Sequence, residues 1–261
     1  MKISVSNIAW DESHDREMYA WLRDNGIEGL EIAPSRLFGS KPYEHIREAA
    51  DFSEELIQLF GIRISSMQSI LYGINENLFA SDDDRSFLID YLEQACRFAE
   101  AVKCGNLVFG CPRNRVRNGR PYEDGTAFFK KAAAIAYSHE TSMAIEANPP
   151  IYNTDYINRT EQAFTLCDEV AVPGMSVNFD MGTVIFNEED LSVLDGNITK
   201  ISHAHVSEPH LAPVEEREIH RELAGILAYN EYDRFVSVEM KNTGSLDDVK
   251  RAVKYVQEVF G

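Results

Sequence analysis

The sequence predicts an α/β protein, a single-domain (β/α)8 TIM barrel formed by residues 1–261. Short apolar runs alternate with longer segments of helical periodicity, and this alternation repeats eight times along the chain. No Pro/Ser-rich linker and no run of like charges interrupts it. Strands that alternate with helices are joined as parallel strands by right-handed crossovers, and eight such units close naturally into a barrel.

A doubly wound open sheet is the main alternative to the barrel. It would bind a ligand at the one crevice where the strand order reverses. In this sequence, chemically active residues follow at least four different strands, which is the pattern that a barrel predicts.

The first four strand-helix units are read from apolar runs and from helices whose apolar residues recur every three or four positions. Ser81 and Asp82 offer N-caps to the third of the helices, and Gly26, Gly61 and Gly105 are suitable C-terminal residues. The predicted strands are 3–8, 29–32, 62–68 and 106–110, and the helices after them centre on 18–22, 46–60, 87–102 and 128–136.

The last four units follow the same pattern. Thr160 and Ser245 are predicted to cap the helices after the fifth and eighth strands. The predicted strands lie within 143–148, 175–182, 200–210 and 235–240, and the helices after them are 160–170, 188–194, 219–227 and 246–259.

Composition limits the classes of partner. The net charge of -18 disfavours nucleic acid and anionic membrane surfaces, because both are bound largely through Lys and Arg. The N-terminus lacks the apolar run of a signal peptide, and no stretch is apolar enough to span a membrane, so we predict a cytoplasmic protein. The four cysteines (Cys96, Cys104, Cys111 and Cys167) show no close pairing, and we expect reduced thiols.

Each of the last four predicted strands carries a potential metal ligand near its C-terminal end. The residues are Glu146, Asp180, His205 and Glu239, separated by 34, 25 and 34 residues, about one strand-helix unit each time. A single acid at a strand end is usually a surface or salt-bridged residue. Three acids around one barrel mouth would repel one another unless a cation compensated them. We therefore predict a divalent metal site, with Mn, Mg, Co or Zn as the candidate ions.

The chain resembles the xylose isomerase-like barrel superfamily, which comprises sugar-phosphate isomerases and epimerases and the endonuclease IV branch. The motifs that carry the resemblance are S-N-I-A-W at the start, I-E-A-N, F-D-M-G, H-A-H-V-S-E and V-E-M. The resemblance implies that Glu146, Asp180, His205 and Glu239 bind the metal, and that Glu146 and Glu239 are also the catalytic acid/base pair. The sequence departs from many members at Thr183, where they have a substrate-contacting histidine.

The expected activity is a metal-dependent isomerisation or epimerisation of a sugar or sugar phosphate. One glutamate would remove a proton to give a metal-stabilised enediolate, and the other would return it. Alternatives on the same site are a dehydratase of a keto-sugar or keto-cyclitol and a non-catalytic carbohydrate-binding barrel. A nuclease of the endonuclease IV type is disfavoured by the net charge of -18 and the seven histidines.

Several further residues are candidates for substrate binding. They lie at the ends of predicted strands or in the loops after them: Gln68, Asn148, His203, Glu208, His210 and Arg113. Arg113 belongs to a cluster with Arg115, Arg117 and Arg120, for which surface ion pairs are the alternative role to binding a substrate anion. Trp10, Tyr72 and Phe79 could line the pocket or belong to the core. The sequence leaves the sugar, the metal and the oligomeric state open, and a homo-oligomer is compatible with it.

Overall fold

Eight parallel strands close into a barrel in the computed structural model, which describes residues 1–261. The strands are β1 (Lys2–Ser6), β2 (Gly29–Ile32), β3 (Arg63–Met67), β4 (Leu107–Phe109), β5 (Met143–Glu146), β6 (Met175–Asp180), β7 (Ile201–Ser207) and β8 (Phe235–Glu239). They pair in chain order, and β1 pairs with β8 to close the ring. The predicted single-domain (β/α)8 barrel is confirmed.

Helices connect all the strands and surround the barrel. They are α1 (Asp15–Asp24), α2 (Pro34–Phe38), α3 (Ile46–Glu55), α4 (Asp82–Ala101), α5 (Glu123–Ser138), α6 (Thr160–Val170), α7 (Met181–Asn187), α8 (Glu218–Tyr229) and α9 (Leu246–Phe260). There are nine helices instead of the eight predicted, because two of them, α2 and α3, lie between β2 and β3. Gly39 ends α2 with a φ of 73°. None of the helices combines the length and the apolar character needed to cross a membrane.

Local capping explains two predicted boundaries that are wrong. A third difference is the cap of α6, which is Arg159 and not Thr160. The first strand ends at Ser6, because the Ser6 hydroxyl accepts a hydrogen bond from Ile8 N and starts a 3-10 turn. The helix after β6 begins at Met181, directly after the strand, because Asp180 Oδ2 accepts a hydrogen bond from Thr183 N. Part of the predicted helix 188–194 is a separate 3-10 turn, Leu191–Leu194.

Successive side chains along each strand point to opposite faces, so one set packs in the apolar core outside the barrel and the other set points into its interior. Phe179, Val206 and Val238 are fully buried in the hydrophobic core. The alternate positions on the same strands point into the barrel and are polar. The register pairs Asp180 with His205, and it pairs the strand ends Ser207 and Glu239. The carboxyl ends of β5 to β8 therefore carry polar side chains at the mouth of the barrel.

Candidate metal and active site

The four predicted ligands meet at the C-terminal end of the barrel. One ligand atom from each of Glu146, Asp180, His205 and Glu239 lies within 4.8 Å of the corresponding atom of the others. His205 Nδ1 is 3.1 Å from Glu146 Oε1 and 3.1 Å from Glu239 Oε2. The His205 side chain is fully buried, and the two glutamate side chains are only 10% and 11% exposed, so little water can screen their charges.

The proximity of these charges in a buried site shifts their pKa values. Burial disfavours the imidazolium form of His205, but Glu239, Glu31 and Glu146 outweigh this effect and raise its pKa well above the ordinary value. Burial raises the pKa of Glu239 to about 7, with His205 opposing the shift. Burial and the charge of Glu146 also raise the pKa of Asp180. Each of these shifts favours the protonated form of the group.

Amide groups hold the Glu146 carboxylate in place. Asn148 Nδ2 donates to Glu146 Oε2 at 3.0 Å, and Asn178 Nδ2 donates to Glu146 Oε1 at 2.6 Å. Gly110, just after β4, leaves the space that this carboxylate occupies, because a Cβ there would collide with Glu146 Oε2. The carboxylate of Glu239, in contrast, has His205 as its only polar side-chain partner.

Asp180 is oriented by its own helix and by β7. Its Oδ2 accepts hydrogen bonds from Thr183 N at 2.7 Å and from Thr183 Oγ1 at 2.8 Å, and its Oδ1 accepts one from the Ser207 hydroxyl. The Thr183 hydroxyl also lies 2.7 Å from the carbonyl oxygen of Ala147. Thr183 therefore supports a candidate ligand instead of facing a substrate.

Glu31 on β2 orients His205 from the opposite side of the barrel. Its Oε1 is 2.9 Å from His205 Nε2, and both side chains are fully buried. Since a carboxylate accepts, Nε2 is the donor, and Nδ1 is the nitrogen that faces the acid cluster. Burial alone would raise the pKa of Glu31. The charge of His205 and its hydrogen bond to Glu31 outweigh burial and make the main contribution to a pKa of about 2. Glu31 was not among the predicted site residues, although a single acid in the short strand G-L-E-I was a usable signal.

The donor set fits a divalent cation. Three carboxylates and one imidazole nitrogen converge on one point, and the other imidazole nitrogen is fixed by a carboxylate, which is the usual arrangement around histidines that bind metals. Neutral His205 would leave three negative charges in a buried volume, and a divalent ion would offset two of them.

The family assignment follows from the comparison of the sequence with family models. The model described as the xylose isomerase-like TIM barrel matches residues 19–259. The chain belongs to this family. No curated protein sequence matches it significantly.

Several solved structures share the fold at low sequence identity. A 3-keto-D-glucoside 4-epimerase from E. coli is 16% identical, with a TM-score of 0.75 over 99% of this chain and 98% of its own. A D-psicose 3-epimerase crystallised in the presence of D-fructose is 14% identical, with a TM-score of 0.77 and full coverage of both chains. The IOLI protein, solved with a zinc atom, is 14% identical, with a TM-score of 0.73 over 99% of this chain and 96% of its own.

Three predicted substrate-binding residues of this xylose isomerase-like barrel are buried. Asn148 contacts Glu146, as described above. Gln68 follows β3, is 5% exposed, and donates from Nε2 to the Ser6 hydroxyl. His203 is fully buried below His205, and neither of its ring nitrogens has a hydrogen-bond partner. Burial lowers the pKa of His203 to about 4, so it is neutral at physiological pH.

Glu208 and His210 follow β7 and have other partners. Both oxygens of Glu208 accept hydrogen bonds from Arg217, each at 2.7 Å. His210 is exposed, has a φ of 61°, and donates its backbone N–H to the Tyr152 hydroxyl at 2.8 Å. Left-handed backbone at a histidine is uncommon and here lies at the rim of the barrel.

The arginine cluster divides into buried and exposed members. Arg113 is exposed and contacts Asn75, whereas Arg115 is fully buried. Arg115 Nη2 donates to the carbonyl oxygen of Glu146 at 2.8 Å and to Asn148 Oδ1. Arg115 therefore stabilises the end of β5. The proposed contact of Arg113 with a substrate anion stays a prediction.

A cavity of about 470 Å³ lies at the rim formed by the loops after β1, β2, β3 and β8. Trp10 and Tyr72 line it, and Trp10 is also 2% exposed and belongs to the hydrophobic core. Phe79 does not line it but is 2% exposed and packs against Tyr156 with ring centroids 4.9 Å apart. Phe79 therefore belongs to the core.

Proposed function

We propose that this protein is a divalent-metal-dependent isomerase or epimerase of a sugar or sugar phosphate. The observation that carries the proposal is the convergence of Glu146, Asp180, His205 and Glu239 within 4.8 Å at the barrel mouth. The solved epimerases with the same fold support the substrate class. A bound divalent cation would polarise the carbonyl and hydroxyl oxygens of the sugar and stabilise negative charge that develops on them.

In the proposed reaction, Glu146 and Glu239 move the proton. One carboxylate accepts the proton from the carbon beside the carbonyl, which leaves an enediolate, and the other donates a proton back. Return to the opposite face of the same carbon gives an epimer. Return to the neighbouring carbon, with the hydroxyl proton transferred to the former carbonyl oxygen, gives an isomer. The hydrogen bonds from Asn148 and Asn178 fix the direction of the Glu146 lone pairs, while Glu239 is free of amide donors.

The remaining side chains have supporting roles in this proposal. Asp180 and His205 would complete the metal site, oriented by Thr183 and Glu31 respectively. Because Thr183 is committed to Asp180 and Ala147, the substrate contact that many relatives make with a histidine at this position is absent here. We therefore expect a substrate preference that differs from that of the ketose 3-epimerases of the tagatose type.

The test combines metal analysis with product analysis. Purified protein is assayed for bound metal and then incubated with a panel of ketoses, keto-sugars and their phosphates, with and without chelator. We expect a chelator-sensitive conversion that Glu146→Gln and Glu239→Gln abolish. A metal-free protein that binds sugars without converting them would instead identify a carbohydrate-binding barrel, and loss of water from the substrate would identify a dehydratase.

A further inference from the structure

A large cavity lies at the other end of the barrel. Its volume is about 1030 Å³, and its walls include the first residues of β1, β3, β6 and β8. It is therefore separated from the carboxylate cluster by the length of the barrel. A volume of this size is ample for a small organic ligand.

The charge of this cavity is opposite to that of the protein. Five cationic residues and one acid, Glu140, line it, whereas the whole chain has 25 Lys and Arg against 43 Asp and Glu. The cations are Lys2, Arg63, Lys103, Lys200 and Arg234. In so acidic a chain, a concave surface with this excess of cations favours an anionic ligand.

Most of these cations have no carboxylate partner. Arg63 and Lys103 are exposed and make no ion pair or side-chain hydrogen bond. The Lys2 ammonium lies 5.7 Å from the centroid of the Phe235 ring, and Arg234 Nη1 donates to a backbone carbonyl oxygen. Lys200 alone forms an ion pair, with Asp168. Their donor capacity is therefore largely unused.

Hydroxyl groups form the inner wall of the cavity. The pairing of β2 with β3 skips Ser65, and the pairing of β6 with β7 skips Ser202, so that a bulge residue lies near the start of both β3 and β7. Both serines line the cavity, with the Ser65 hydroxyl bonded to Ser4 and the Ser202 hydroxyl bonded to Asn106 and Ser176. Thr141 also lines it, is 5% exposed, and has no hydrogen-bond partner for its Oγ1. An orphaned buried hydroxyl is costly unless a ligand or water completes it.

We propose that this cavity binds a small molecule that carries two or more phosphate or carboxylate groups. Arg63 and Lys103 supply free cationic donors at its edge, and Thr141 supplies a hydroxyl in its wall. Guanidinium and ammonium groups are suited to such anions. The hydroxyl wall and the concave shape favour a small ligand over a segment of an acidic protein, which would need an extended surface.

The test is isothermal titration calorimetry on the full-length protein with inorganic phosphate and with tricarballylate, at ionic strength held constant with NaCl. We expect saturable binding at one site per chain. Arg63→Glu combined with Lys103→Glu should weaken it by more than about tenfold, because two cationic donors are replaced by carboxylates that repel the anion. Thr141→Val should weaken it by about two- to tenfold.

The matched control is Arg47→Glu combined with Arg221→Glu, which makes the same change in net charge at exposed arginines outside the cavity. This variant should bind both anions as the unmodified protein does. Equal weakening in the two double variants, or no saturable binding of either anion, would overturn the proposal. Binding of a poly-glutamate peptide without binding of either small anion would also overturn it and would identify a protein-docking surface.

Discussion

Replacing Glu31 with glutamine should weaken metal binding even though Glu31 is not among the proposed ligands. Glu31 Oε1 lies 2.9 Å from His205 Nε2, and both side chains are fully buried, so no water can take over the hydrogen bond. Glutamine keeps the volume but removes the negative charge that fixes the Nε2–H form and makes Nδ1 a stronger donor to a metal. Loss of such a supporting partner typically lowers metal affinity 10- to 100-fold, or about 1.4–2.7 kcal/mol.

The assay is a competition titration of Zn²⁺ or Co²⁺ against a chromophoric chelator, with Glu28→Gln as the control. Glu28 immediately precedes β2 and is exposed, so its substitution changes the net charge equally without touching His205. We expect weaker binding in Glu31→Gln and unchanged binding in the control. Equal affinity in Glu31→Gln and the unmodified protein would refute the positioning role of Glu31.

Three further substitutions test other parts of the structure. Asp180→Ala should abolish the rise in melting temperature that saturating metal causes, since binding at 100 times Kd stabilises by about 2.7 kcal/mol; a preserved shift in a thermal melt would exclude Asp180 as a ligand. Gly110→Ala should reduce turnover sharply while leaving the far-UV circular dichroism unchanged, because the added Cβ collides with the Glu146 carboxylate; full turnover would contradict the close packing described here. His220 is buried against Tyr255, and burial lowers its pKa to about 4. The unfolded chain therefore binds a proton at His220 below a pKa of about 6.5, whereas the folded protein does so only near pH 4. The free energy of unfolding is highest above about pH 6.5 and decreases as the pH falls towards 4. His220→Gln should flatten the decline in unfolding free energy across that window, and an unchanged slope in urea titrations would contradict the assignment.

The sequence was sufficient for the barrel and for the four residues that converge at its mouth, because both depend on periodic patterns. Parallel strands place their C-terminal ends together, so an acid or histidine at the same position in successive strands must meet the others. The sequence also indicated that Thr183 departs from the pattern, but only the structure showed what it contacts.

The contacts that the sequence did not reveal form across the barrel, through local capping or in the interior. Glu31 is 174 positions from His205 and becomes its partner only when the ring of strands closes. Asp180 starts α7 through its side chain, which moved the helix boundary by several residues. Arg115 was a candidate for a substrate anion or a surface ion pair, yet the carbonyl oxygen of Glu146 and the Asn148 side chain bind it in the interior.

The proposed function is tested most directly by hydrogen exchange between substrate and solvent. The protein is loaded with Mn²⁺, incubated in D2O with each sugar of the panel, and the recovered sugars are examined by NMR and mass spectrometry. We predict metal-dependent incorporation of deuterium at the carbon beside the carbonyl of one substrate. The rate of incorporation should fall by at least about 10²-fold in Glu146→Gln and in Glu239→Gln. Metal-dependent conversion of a sugar without deuterium incorporation, or exchange that persists at the same rate in both variants, would contradict the assignment of these two glutamates as the proton-transfer pair.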